Sequence, residues 1–490
     1  MRRAPELSPS ILRPLNDLTV IGVPCRDALP LSQWRALWIL SEVTEEMTVA
    51  KESPADPKRN GLLFVGGKPR ANSPLQADAL RRCHEALGRF LQIKNLAVLV
   101  GAGASLHLGS PKIRNLRAEE VIALVAGGTA LPPEEKGLLE RLASSAVDLE
   151  QLLSILTTGL AFGRGVGAAA LPVGDSTFQL DVMGRLRKRL NRALGMACDL
   201  PGSRGVDENE AADPLRAHRE FFRRLLRSRR GDLPRVRVFT TNYDLLIEKA
   251  LDESGVAYLD GFTGTVSRVF RPEVYDQDIY VQLEESPRST RLPDMLYLYK
   301  LHGSINWKSK PSPATLGSAV VVQKPDWTAD EDLLMIYPTP QKDSDVLGYP
   351  YAELFKTFAS IVNASETGLL VVGYGFSDDH LNRLIFQALA AVPTFQLLVI
   401  DPLAVHPKTD VSEGSDGQDY EVSSAMAGRL AGWSDARISV LAGAWARFVT
   451  FATEVMPDPD DAGDVEQSLG RRMEELRRLV DTSGSGSHVQ

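Results

Sequence analysis

LAVLVGAGAS, residues 96–105, joins an unbroken apolar run to a string of small residues. Five apolar side chains in a row, Leu96 to Val100, leave neither face for water. That is the pattern of a central parallel strand covered by helices on both sides. Gly101, Ala102, Gly103, Ala104 and Ser105 then permit a sharp turn from strand into helix, where backbone amides and a helix N-terminus can approach a phosphate. The dehydrogenase fingerprint G-x-G-x-x-G is incomplete, because Leu106 stands where its third glycine belongs, and the lysine-bearing loop G-x-x-x-x-G-K-[ST] is absent. The stretch reads as a dinucleotide-type turn that fits neither template, with an ordinary tight turn as the plainer alternative.

Working outward, the same strand–turn–helix grammar recurs. RVRVFTTNYDLLIEKALDESG (235–255) and GLLVVGYGFSDDHLNRLIFQALAAV (368–392) each run from apolar strand through polar turn to helix. FQLLVID (395–401) is a further apolar strand ending on an acid, and MLYLYKL (295–301) runs into His302-Gly303-Ser304. Helices are expected at Leu75–Gln92 and Tyr351–Ala364, and short strands at 279–283, 319–323 and 333–338. These units predict an α/β fold: a Rossmann-like parallel sheet flanked by helices, with ligand groups at the carboxyl ends of its strands. Amphipathic stretches at 118–126, 138–160, 178–197 and 213–231 break the alternation and predict a helical insert or layer, about 118–231.

Residues 1–80 read as a small N-terminal accessory segment of unknown role, with strand candidates at 18–24 and 61–67 and a helix at 31–43. Residues 81–455 form the main domain. Residues 456–490 supply an acidic linker, a last helix (465–481) and a Gly/Ser-rich tail expected to be disordered. In that helix Leu469, Met473, Leu476, Leu479 and Val480 repeat at helical spacing, which suits packing on its own domain or, alternatively, a subunit contact.

The 490 residues carry a net charge of -8, which argues against a generally basic nucleic-acid-binding body. Seven arginines lie between Arg216 and Arg230. They read as a solvated face over a core of Phe221, Phe222, Leu225 and Leu226, with nucleic-acid contact as the alternative. Cys25, Cys83 and Cys198 are far apart with no C-x-x-C pair, so neither a disulfide framework nor a cysteine zinc site is expected. No run of about 18 apolar residues and no signal-type h-region occurs, so a cytoplasmic protein without a membrane span is expected.

Four polar turns carry the chemistry: Gly101 to Ser105, Thr240-Thr241-Asn242-Tyr243-Asp244, Leu301-His302-Gly303-Ser304, and Gly373-Tyr374-Gly375-Phe376-Ser377-Asp378-Asp379. Each has an ordinary explanation. Thr-Asn-Tyr-Asp suits a helix N-cap, and Asp378-Asp379 are acids favoured by the dipole of a first helical turn. What raises them is position, since all four fall at one edge of the same sheet.

In that order, GAGAS, TTNYD, KLHGSINW and VVGYGFSDDHLNRLI resemble the sirtuin-like NAD-consuming family. The likeness is to its bacterial anti-phage branch, which includes the Thoeris, short-Argonaute and HerA-associated effectors. IYPTPQK (336–342) resembles that branch as well, and the resemblance spans about residues 90–402. It implies Asn242 and His302 as catalytic residues and Gly101, Ala102, Gly103 and Ser105 along the NAD pyrophosphate. It further implies Thr241 and Asp244 on the nicotinamide-ribose side and Gly373, Gly375 and Ser377 on the adenosine half. Asp401, from its place at a strand end, is expected to accept ribose hydroxyls. Deacylating sirtuins carry a four-cysteine zinc module that nothing here matches, so no zinc is expected. Their G-I-P-D-F-R segment appears as Gly109-Ser110-Pro111-Lys112-Ile113-Arg114, with lysine replacing aspartate.

The resemblance thus implies an NAD+ hydrolase that releases ADP-ribose and nicotinamide, an abortive-infection effector in anti-phage defence. An Asn amide both donates and accepts, and a His titrating near neutrality suits general-base work on a ribose hydroxyl or water. Uncontrolled NAD loss would be lethal, so a resting state controlled by homo-oligomerisation or a protein partner is expected, a HerA-like ATPase first and an Argonaute second. A deacylase or ADP-ribosyltransferase, and a non-catalytic NAD or ADP-ribose sensor, are the alternatives.

Overall fold

In the computed structural model, the described residues are 61–71, 77–110, 131–143, 149–200, 213–282, 289–311, 319–324, 349–407 and 420–458. The expected strands at 18–24 and 333–338 lie outside them. So do the expected helices at 31–43, 118–126 and 465–481, the 336–342 motif and most of the 109–114 segment.

Nine strands form one sheet: β1 (Gly61–Val65), β2 (Lys68–Ala71), β3 (Asn95–Val100), β4 (Val236–Thr240), β5 (Ala257–Leu259), β6 (Met295–Lys300), β7 (Thr367–Val372), β8 (Gln396–Ile400) and β9 (Ile438–Gly443). Their spatial order is β2-β1-β9-β8-β7-β3-β4-β6-β5. Every pairing from β9 to β5 is parallel, and only β1 and β2 run against their neighbours. From β6 to β9 the order is 3-2-1-4-5-6 counted along the chain, the doubly wound arrangement. Its crevice opens where the chain's direction of winding reverses, between β3 and β7. The expected α/β class with a parallel sheet flanked by helices is the observed one.

β3 shows why its sequence has no polar residue between Leu96 and Val100. Leu96, Val98 and Val100 enter the core on one face, while Ala97 and Leu99 enter the core on the other. On the first face lie α1 (Ala77–Leu91), α5 (Arg216–Arg227), α6 (Leu246–Glu253) and the segment Phe448–Val455. On the second lie α7 (Tyr351–Val362), α8 (Asp379–Ala391) and α9 (Met426–Ala431). Each large side chain so buried contributes about 1.5–3 kcal/mol.

The helical layer contains α2 (Pro133–Ala143), α3 (Leu149–Gly165) and α4 (Leu180–Cys198). The amphipathic stretch 138–160 contributes to both α2 and α3. A β-hairpin, Ala170–Val173 with Ser176–Gln179, precedes α4. The layer's core also takes in Tyr243, Leu245 and Ile305, so it packs directly on the Thr-Asn-Tyr-Asp and His-Gly-Ser turns.

Residues 61–71, assigned by sequence to an accessory segment, extend the main sheet: β1 pairs with β9 from Gly61↔Gly443 to Val65↔Ser439. The arginines of α5 and of the turn after it lie around the buried Phe221, Phe222 and Leu225, and several are tied down. Arg219 pairs with Asp213 and Glu253, Arg223 with Glu220 and Asp458, and Arg229 donates to the carbonyls of Leu91, Ile93 and Lys94. No described helix is long and apolar enough to cross a membrane.

Candidate active site

A cleft of about 730 Å³ opens at the carboxyl ends of the strands, a size within the usual range for small-molecule sites. It is lined from β3 by Ala102 and Gly103, and from β4 by Thr241, Asn242 and Asp244. His302 comes from β6, Gly373, Gly375, Ser377 and Asp378 from β7, and Asp401 from β8. Ten of the twelve residues singled out from sequence thus meet on one cavity. Gly101 and Ser105 do not line it.

Those two have other work. Gly101 N donates to Val372 O (2.9 Å) and Gly103 N to Gly373 O (2.8 Å), stitching the β3 turn to the β7 turn. A Cβ on Gly101 would stand 2.6 Å from Gly373 O, and one on Gly373 (φ +64°) 2.4 Å from Ala104 N. The glycines first allow two backbones to touch. The turn is also not a long helix start. It is a pair of 3₁₀ turns, Ala102–Ala104 and Leu106–Leu108, in which Ala104 N and Ser105 N donate to Gly101 O and Ala102 O. Four of the five amides expected to cradle a phosphate are therefore spent inside the fold.

Ser105 is 1 % exposed and acts as a relay. Asn242 Nδ2 donates to Gly101 O (3.2 Å) and Ser105 Oγ (3.1 Å), and Ser105 Oγ donates to Asp244 Oδ2 (3.0 Å). A carbonyl only accepts, so the contact with Gly101 O fixes which end of the amide faces the fold. Asn242 Oδ1 is left buried without a partner. Leaving such an acceptor unsatisfied costs about 1–3 kcal/mol, a cost a ligand hydroxyl or water would remove.

Beneath lies a buried charge network. Lys300 Nζ donates to Asp244 O and to Glu248 Oε1 (2.8 Å). Burial pushes the carboxyl groups of Asp244 and Glu248 up, and Lys300 offsets part of that rise. Asp244 Oδ1 accepts from Leu246 N (3.1 Å), capping α6, so Asp244 serves the framework of the site. Tyr243 O accepts from Ile305 N (3.1 Å) and Ser304 Oγ (3.3 Å), locking the Asn242 turn to the His302 turn.

His302 Nε2 lies 2.9 Å from Asp378 Oδ2. Asp378 also accepts through Oδ1 from His380 N (3.0 Å) and Leu381 N (3.3 Å), capping α8. Of the two expected first-turn acids only Asp379 lies in the first turn; Asp378 is the N-cap, and its contact with a histidine 76 residues away in the chain could not be seen from local spacing. The β7 turn is held by Asn382 Nδ2 donating to Phe376 O (2.8 Å), with Phe376 itself at φ +54°. Asp401 Oδ1 accepts from Leu403 N (2.8 Å), and burial raises its carboxyl pKa.

The sequence reading missed the last wall: Leu106 and His107, Cys198 from α4, Pro402 and Leu403, and Ala446 to Thr450 after β9. Arg447 is exposed there, and is the one Lys or Arg among the described lining residues. His107 and His218 stack at 5.4 Å with Phe448 against both, and burial lowers their pKa to about 4 and about 3. Among the described residues no group of three or more His, Cys, Asp or Glu side chains is placed to hold a metal ion.

A doubly wound sheet thus brings Asn, His and carboxylate groups together at its switch point, the place where sheets of this kind bind ligands. Residues 236–416 match the family model described as SIR2-like domain, a segment that starts in β4 and ends beyond Asp401. No curated protein matches the chain. Among solved structures, a triple mutant of a Sir2 homologue in complex with 2′-O-acetyl ADP ribose aligns over 65% of this chain and 84% of its own. The identity is 13% and the TM-score 0.27.

Proposed function

We propose that the chain is an NAD+ glycohydrolase. The observation that carries this reading is the convergence of Asn242, with its unpartnered buried Oδ1, and His302 on one cleft beneath the β3 and β7 turns. The SIR2-like match over 236–416 supports NAD as the substrate. Ala102 and Gly103 would lie along the diphosphate, and Gly373, Gly375, Ser377 and Asp401 along the adenosine half. Thr241 and Asn242 would meet the nicotinamide ribose.

Nicotinamide in NAD+ is already a cationic leaving group, so cleavage needs no strong acid. The C1′–N bond breaks with its electron pair passing to the ring nitrogen, and a water oxygen bonds to C1′ as its proton leaves. Asn242 Oδ1 would hold the water or a ribose hydroxyl, His302 would take the proton, and water exclusion by the helical layer would strengthen both contacts. We further place the protein in the cytoplasm as an anti-phage effector. Its activity would be released by assembly or by a protein partner, a HerA-like ATPase first.

Chromatography of NAD+ incubated with the pure chain, with and without an acetylated peptide, tests the reading. ADP-ribose and nicotinamide should form without the peptide, and Asn242→Ala should abolish them. Turnover only with the peptide would move the chain to the deacylases, and an unchanged rate in Asn242→Ala would refute the assigned roles.

A further inference from the structure

We propose that Asp378 is a positioning residue that fixes His302 as the tautomer protonated on Nε2, leaving Nδ1 as the basic nitrogen. The inference takes His302 as the proton acceptor from the proposed reaction; the tautomer itself follows from the contact with Asp378 taken as an ionised carboxylate beside a neutral ring. An ionised carboxylate offers only acceptors, so an imidazole nitrogen 2.9 Å from Asp378 Oδ2 must carry the hydrogen. In a neutral ring the other nitrogen then carries no hydrogen and can only accept.

Three further contacts make this more than a chance pairing. The carboxylate cannot swing away: Oδ1 accepts from His380 N and Leu381 N, while Asp378 N donates to Tyr374 Oη (3.2 Å). It stands at the N-terminus of α8, a 13-residue helix whose dipole favours the ionised form. The histidine is confined as well, 5 % exposed, with its ring against those of Phe355 (6.4 Å) and Tyr243 (6.2 Å). Capping α8 would need only Oδ1. The second oxygen of Asp378, directed at His302, is what a purely structural role leaves unexplained.

The test uses the full chain labelled with ¹⁵N-histidine. Seven histidines give signals, and His302 is assigned by the one lost in His302→Asn. Wild type should show His302 protonated on Nε2 and bare on Nδ1 near neutral pH. Asp378→Asn keeps an oxygen to cap α8 but turns an NH2 donor toward the ring, so the proton should move to Nδ1. Its kcat for NAD+ should fall at least about 100-fold with KM little changed, as when the orienting acid of a catalytic histidine is lost. Asp378→Ser caps the helix without reaching the imidazole. It should keep the melting temperature and lose the fixed tautomer.

A wild-type His302 protonated on Nδ1 or on both nitrogens overturns the proposal, as does an Asp378→Asn chain with unchanged tautomer or kcat. If wild type shows the expected tautomer but never cleaves NAD+, the dyad stands and the glycohydrolase reading falls. If it cleaves NAD+ and Asp378→Asn matches it, the reverse holds.

Discussion

Acidification should destabilise this protein through one identifiable pair of residues. His107, on the wall of the cleft, stacks on the fully buried His218, whose Nδ1 has no hydrogen-bond partner. Burial lowers the pKa of His107 from 6.5 to about 4, a contact with the Ala104 backbone working the other way. Burial, and then the proximity of His107, lower that of His218 to about 3. The fold therefore holds both rings neutral, while the unfolded chain binds protons below about pH 6.5. Stability is full above that value and lost as pH falls towards the folded values. Each histidine costs about 1.4 kcal/mol per unit in that window, so near pH 5 the pair costs about 4 kcal/mol. That is a large part of a typical stability of about 5–15 kcal/mol. Asp244, Glu248 and Asp401 work in the opposite sense, because their raised carboxyl groups bind protons in the fold before they do in the unfolded chain. The decisive quantity is thus a difference between proteins. Urea unfolding of wild type and His218→Phe, whose ring suits a site against Phe448, should be compared between about pH 7.5 and 5. The variant should lose about 2 kcal/mol less on acidification. Equal losses in the two proteins would refute the assignment.

Three further outcomes follow from the site. Arg447→Gln should raise the KM for NAD+ about tenfold while leaving kcat within about twofold, as expected for one solvent-facing charge-assisted contact; steady-state kinetics at low salt reads this, and an unchanged KM removes Arg447 from diphosphate binding. Gly373→Ala should destabilise the fold by about 1–3 kcal/mol, because its φ is +64° and its Cβ would strike Ala104 N, whereas Gly375→Ala, with open space around it, should leave the melting temperature nearly unchanged. Ser105→Ala should lower kcat about tenfold, since Asn242 loses one of its two anchors and Asp244 loses a donor; a KM effect without a kcat effect would instead return Ser105 to substrate binding.

The sheet was legible in the sequence because burial on both faces leaves a mark that water forbids elsewhere: Leu96–Val100, Leu369–Val372 and Leu397–Ile400 have no polar residue to misplace. The residues of the cleft were legible for a related reason, since turns at strand ends are where Asn242, His302 and Asp401 have no local packing duty strong enough to explain them all. What local spacing does not carry is pairing across the sheet. Ser105 was expected on the pyrophosphate from the resemblance that GAGAS carries; only the approach of β4 shows its hydroxyl between Asn242 and Asp244. Gly61–Val65 looked peripheral because nothing near it in sequence reveals that β9, almost 400 residues later, offers it an edge. The β-hairpin before α4 was hidden because two of its eight paired residues, Phe178 and Gln179, fall inside the amphipathic stretch 178–197, while the other six follow no strand pattern long enough to read.

These displaced roles have one chemical consequence. With the amides of Gly101, Gly103, Ala104 and Ser105 engaged inside the fold, the β3 turn supplies shape but little positive potential to the cleft. The carboxylates of Asp244, Asp378 and Asp401 all stand on the same cavity. A dianionic diphosphate placed there needs a counter-charge, and among the described lining residues Arg447 is the one fixed cation. It is carried by the turn after β9, the strand that β1 secures from the far edge. Substrate affinity should therefore depend on that remote edge. Loosening the β1–β9 pairing with Phe64→Ala, a side chain 3 % exposed, should weaken NAD+ binding more than it slows the bound substrate's turnover. A kcat loss with unchanged KM would show that the edge strands serve the Asn242–His302 side instead.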